Sequence, residues 1–118
     1  MSKRITPEEV LAAYEATGLK PVQESWTDMV NGQRCGCGLT AVAMSKRKGL
    51  DFSDFFSNLG DLDAEDRMLA HELGLPLDYV WGFAAGFDGN SPFGIDYADW
   101  RLGYKDGRAA WEAVKHLA

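Results

Sequence analysis

The chain has 118 residues, 46% of them apolar and 12% aromatic, which is enough to bury one core without staples and too apolar for a disordered segment. A net charge of −6 and a pI near 4.8 oppose the electrostatics of phosphate backbones and anionic lipid, so nucleic acid is excluded as the expected partner. The most apolar window, Tyr79 to Phe87, is too short for a bilayer span, and Ile5-Thr6-Pro7-Glu8-Glu9 stands where an export signal would need an apolar run; the expectation is a cytoplasmic protein with no membrane contact and reduced thiols.

Thr6-Pro7-Glu8-Glu9 starts a helix: Thr6 caps, Pro7 suits the first turn, and Glu9 stands where a capping box returns a hydrogen bond. The helix runs to about Thr17, with Gly18 as a left-handed stop. From Leu19 to Gly38 no period is sustained, and Pro21, Asn31 and several glycines punctuate the segment, so it reads as a long irregular loop in which Val22 to Trp26 could form a short extended piece. Leu39 to Met44 reads as a buried helix, with Lys46-Arg47-Lys48 at its positive-charge-favouring end and Gly49 as its stop.

A short helix is expected over Phe52 to Leu59 and another over Asp63 to Leu73, with Leu62, Leu69 and Leu73 on one face and Gly74 ending it. Leu77 to Phe87 is apolar all round apart from Asp78, which makes it a central helix. The last helix carries Tyr97, Trp100, Tyr104, Gly107, Trp111, Val114 and Ala118 at alternating three- and four-residue steps, for a length of about twenty residues. Gly82 and Gly86 in the central helix match Gly103 and Gly107 in the last. Glycine inside a helix costs about 1 kcal/mol relative to alanine, and four of them imply close backbone approach between these two helices. The fold class that follows is all-α: one compact domain over residues 1–118, with five or six helices and the irregular segment of about 19–38 before the second.

Chemistry concentrates in Asn31-Gly32-Gln33-Arg34-Cys35-Gly36-Cys37-Gly38, and Gln33, Arg34, Cys35 and Cys37 are the candidate functional residues. Both cysteines lie near Arg34 and ahead of a helix N-terminus, two influences that favour thiolate, and a Cys35–Cys37 disulfide would close a very small, easily reduced ring. A metal shell would need His71, His116 or a second subunit to complete it, since zinc takes four ligands. Asp88, Asn90, Ile95 and Asp99 fit positions of a calcium loop, as do Asp61, Asp63, Glu65 and Glu72, but each lacks the glycine that turns such a loop. No phosphate-binding glycine loop or Glu-x-x-His pair is present.

The run Cys37-Gly38-Leu39-Thr40-Ala41-Val42-Ala43-Met44, with Gln33 upstream, locally resembles the nucleophile helix of papain-like peptidases of the bacteriocin-processing type. The resemblance implies Cys37 as nucleophile and Gln33 as an oxyanion-hole donor; it covers about a dozen residues, and no histidine follows in a strand-like setting to act as base. The reading carried forward is a small non-catalytic interaction or regulatory protein, homodimeric or bound to a protein partner through its aromatic seam, with no cofactor. Its alternative is a thiol-dependent redox or metal-binding protein using Cys35 and Cys37.

Overall fold

The computed structural model describes residues 4–46, 62–91 and 97–118, with the side chains of 62–65 outside that description. The expected helix over Phe52 to Leu59, Gly49, and parts of both calcium-loop patterns lie outside the described residues. In chain order the elements are α1 (Pro7–Thr17), β1 (Lys20–Pro21), β2 (Thr27–Val30), β3 (Gln33–Gly36), α2 (Gly38–Lys46), α3 (Leu62–Leu73), α4 (Leu77–Phe87) and α5 (Ala98–Val114), followed by a short 3₁₀ turn at Lys115–Leu117.

The all-α expectation is overturned by a three-stranded mixed sheet of order β1-β3-β2, which occupies half of the segment read as irregular loop. β1 runs parallel to β3, and β2 pairs antiparallel with it. The strands are only two to four residues long, too short for a period-2 pattern to rise above the punctuating glycines. The turn was nonetheless written in the sequence: Asn31 and Gly32 both adopt left-handed φ, 51° and 78°, between the paired residues Val30 and Gln33, which is the two-residue hairpin that Asn-Gly favours.

The helices follow local chemistry. α1 opens with the full capping box, Glu9 N–H donating to Thr6 Oγ1 at 3.2 Å and Thr6 N–H to Glu9 Oε1 at 3.1 Å, and it closes on Gly18 at φ 74°. Its inner face, Val10, Ala13 and Tyr14, joins Ile5, Leu39, Val42, Leu69, Leu73, Val80, Phe83 and Phe87 in one continuous core.

α4 and α5 are locked together by four glycines. A Cβ on Gly82 would collide with the Trp100 carbonyl, one on Gly86 with that of Tyr104, one on Gly103 with that of Tyr79, and one on Gly107 with that of Phe83. Every glycine thus faces a carbonyl of the opposite helix, the arrangement that supports Cα–H···O contacts as well as dispersion. Beside this seam Tyr79, Phe83, Phe87 and Trp111 form a continuous aromatic row with ring centroids 5.3 to 6.4 Å apart. The buried positions of α5 are Trp100, Gly103, Asp106, Gly107, Ala110 and Val114, so the seam is rotated from the one expected: Tyr97 and Ala118 are exposed, and Asp106 is buried.

That buried acid is matched. Arg4 donates to Asp106 through Nε at 3.1 Å and Nη2 at 2.6 Å, Tyr79 Oη donates to Asp106 Oδ2 at 2.5 Å, and Ile5 N–H donates to Tyr79 Oη at 2.9 Å. The start of the chain is thereby tied to both helices of the seam. Among the described residues no helix is long and apolar enough to cross a membrane.

Candidate functional site

The hairpin fixes where the four candidate residues point. Cys35 is in register with Lys20 on β1 and Asp28 on β2, and side chains in register share a face of the sheet. Gln33, two residues away, lies on that same face, and Arg34 lies on the other. The ladder then runs one bond further, Cys37 N–H donating to Trp26 O at 3.0 Å, before the chain turns into α2. Cys37 O accepts from Ala41 N–H at 3.1 Å, which makes Cys37 the N-cap of that helix.

Cys37 is buried, 2% exposed, on the wall of a small cavity of about 110 Å³ formed with Glu24, Ser25, Trp26, Ala84 and Asp88. Gly38 behind it is tightly packed, since a Cβ there would come within 3.1 to 3.2 Å of the side chains of Phe87, Phe83 and Val10. Loop residues close over the thiol. Asp88 Oδ1 accepts Glu24 N–H at 2.7 Å, Gln23 Nε2 donates to Phe87 O at 3.0 Å, and Glu24 is held at φ 69°, a left-handed conformation unusual for glutamate.

Electrostatics oppose a reactive thiol here. Burial pushes the Cys37 thiol up to about 12, the Asp88 charge adds to the rise, and the N–H groups of Leu39, Thr40 and Gly38 at the head of α2 only partly offset it. The expected lowering by helix and arginine is therefore reversed, because desolvation outweighs the N-terminal amides and Arg34 does not share the Cys37 cavity. Burial likewise keeps the Tyr14 phenol protonated, with its hydroxyl donated to Gly36 O at 2.6 Å beneath the sheet. Asp88 is itself raised above its ordinary value by burial, against the favourable N–H of Glu24.

Cys35 opens elsewhere. It lines a separate cavity of about 340 Å³ with Lys20, Pro21, Val22, Val30, Asn31, Gln33 and Ala118. Its thiol contacts Gln33 O at 3.5 Å, and Gln33 spends its amide on Gly18 O and Arg34 O at 3.2 and 3.0 Å. Gln33 and Cys35 are thus brought together, Arg34 faces away from them, and Cys37 is turned into a different cavity. Both cysteines are free and buried. The oxyanion role that the peptidase resemblance implies for Gln33 finds no support, since its amide is committed away from Cys37.

No family model, curated protein or solved structure matches this chain.

His71 lies exposed on α3 and His116 exposed in the final 3₁₀ turn, and neither lines a cysteine cavity. Among the described residues, no group of three or more His, Cys, Asp and Glu side chains is arranged to hold a metal ion. Sequence reasoning missed Glu24, which shares the Cys37 cavity, Gln23, which ties the same loop to Phe87 O, and Asp106. Asp88, the first position of one calcium-loop pattern, turns its carboxylate to the Glu24 amide. A lone acid at a helix-seam spacing, beside glycines three residues before and one after, was the signal available for Asp106.

Proposed function

We propose that this chain is a small non-catalytic interaction protein acting as a homodimer. The observation that carries the reading is the dispersal of the candidate chemistry: Cys37 is sealed and protonated, and Cys35 opens onto another cavity. A dithiol activity needs both sulfurs at one place. The surface offered for contact is β2, an outer strand of the sheet whose Met29 and Val30 are 52% and 44% exposed. Asp28 Oδ1 accepts Met29 N–H at 2.7 Å and so caps part of the strand's free edge; contact with a second copy then runs edge-on along β2, with Met29 and Val30 flanking it on opposite faces of the sheet.

Light scattering of the purified full chain tests this reading. The expected result is a dimer that Met29→Lys with Val30→Lys converts to a monomer, while Cys35→Ser and Cys37→Ser leave it a dimer. A wild-type monomer at high micromolar concentration would sink the homodimer.

A thiol-dependent activity is the second reading, and the position of Cys35 favours it: the residue borders a cavity of about 340 Å³ that Lys20 also lines. Rapid modification of Cys35 by a thiol reagent near neutral pH in the native protein, lost in Cys35→Ser, would move the proposal to this reading.

A further inference from the structure

A third cavity, of about 420 Å³, lies between the C-terminal end of α4 and the outer face of α5, remote in role from both cysteines. Its volume is that of a small-molecule site. Along α5 the residues Tyr104, Arg108, Trp111 and Glu112 line it, one helical face by their spacing, and Gln23 and Asn90 close the opposite rim. The walls are fixed by contacts that leave the Arg108 guanidinium out. Tyr104 stacks on Trp100 with centroids 5.2 Å apart and donates its hydroxyl to Asn90 O at 2.6 Å, and Trp111 meets Phe87 edge-on at 5.3 Å. Asn90 N–H is held by Ala85 O at 2.9 Å, and Gln23 by Phe87 O at 3.0 Å, which leaves the Gln23 amide oxygen for another donor.

Charge decides the ligand class. Arg108 makes no ion pair among the described residues, and the acid one turn along, Glu112, pairs with Lys115 at 2.6 Å on the exposed side of the helix. One guanidinium on a wall that also carries Glu112 suits a single negative charge better than a phosphate dianion, whose second charge finds no further cation lining the cavity. A rigid indole in the same wall supplies an apolar plate for a ring, and the amides of Gln23 and Asn90 supply polar contacts at the rim. We propose that this groove binds a small ring-bearing carboxylate, its anionic group on Arg108 and its ring against Trp111. The proposal is independent of the dimer reading.

Benzoate is the probe, with benzamide as its neutral counterpart and inorganic phosphate as the competing anion, followed by amide and indole NMR signals of the full chain. Benzoate is expected to shift the signals of Gly89, Asn90 and the Trp111 indole. Arg108→Gln should weaken binding by about tenfold or more, and benzamide should bind correspondingly less well than benzoate. Arg108 is exposed, so Arg108→Gln should melt with the wild type, and Lys105→Gln, also exposed on α5 but outside the cavity, should leave binding unchanged. The proposal is overturned if benzoate leaves these signals in place at millimolar concentration, if Arg108→Gln or benzamide binds equally well, or if phosphate displaces benzoate at equal concentration.

Discussion

The α4–α5 seam and the β2–β3 hairpin with its following helix are the two glycine-rich parts of the molecule, and they use glycine for different physical ends. In the seam each of Gly82, Gly86, Gly103 and Gly107 is needed because a carbonyl of the other helix occupies the space of its missing Cβ. In the hairpin Gly32 has open space around its Cα and is needed for φ 78°. Gly36 and Gly38, which flank Cys37, belong with the seam in this respect: neither has a positive φ, and both are crowded by side chains. The loop that had suggested flexible, chemistry-directed backbone is mostly a packing solution.

Substitution breaks that comparison most sharply. Gly86→Ala or Gly103→Ala must push two helix backbones apart, and is expected to cost about 3 kcal/mol or more in denaturant unfolding, at the upper end for overpacking. Should either variant unfold at the wild-type midpoint, the close approach of α4 and α5 is wrong. Next in size is Tyr79→Phe, which leaves Ile5 N–H without its acceptor and Asp106 Oδ2 with Arg4 Nε as its remaining donor; the expected loss is about 1 to 2 kcal/mol, and equal stability of variant and wild type would remove the network from the account of the seam. Gly32→Ala is expected to cost about 1 kcal/mol, the penalty of placing a Cβ in the left-handed region, with no packing loss because nothing lies within 4 Å. If Gly32→Ala proves as damaging as Gly86→Ala, the two regions do not differ in the way described.

The same contrast explains what could be read in advance. Helical spacing of small residues is a long pattern, and the pairing of Gly82 and Gly86 with Gly103 and Gly107 announced the seam. The capping box at Thr6 and the stops at Gly18 and Gly74 are strong local signals for the same reason that they are strong interactions: each satisfies a backbone group nearby in sequence. The sheet was hidden because its stabilising bonds join residues far apart, such as Lys20 with Cys35, in strands too short to alternate visibly. At the candidate site, Gln33, Arg34, Cys35 and Cys37 are contiguous in sequence, but strand alternation and the turn into α2 send them to different places. The bonds that close the Cys37 cavity join residues 64 apart in sequence, Asp88 to Glu24 and Gln23 to Phe87, a separation no local pattern reports.

The smallest expected effect concerns this seal. Asp88 holds its proton to higher pH in the folded chain than in the unfolded one, since burial disfavours its carboxylate more than the Glu24 N–H favours it. Between the ordinary aspartate value of 3.8 and the raised folded one, the native state therefore binds more protons than the unfolded state, and stability falls as pH rises through that window. Asp88→Asn keeps an oxygen able to accept Glu24 N–H and removes the titration. Its stability should be flat across the window where the wild type declines, and at neutral pH it should equal or slightly exceed the wild type, by a few tenths of a kcal/mol. Because the Asp88 charge also raises the Cys37 thiol, the variant should give faster labelling of Cys37 at alkaline pH, with Cys35 labelling unchanged as the internal reference. Parallel decline of variant and wild type would assign the pH dependence to another group. Unaltered Cys37 labelling would mean that the Asp88 charge does not reach the sulfur, and the small cavity would then seal the thiol by burial alone.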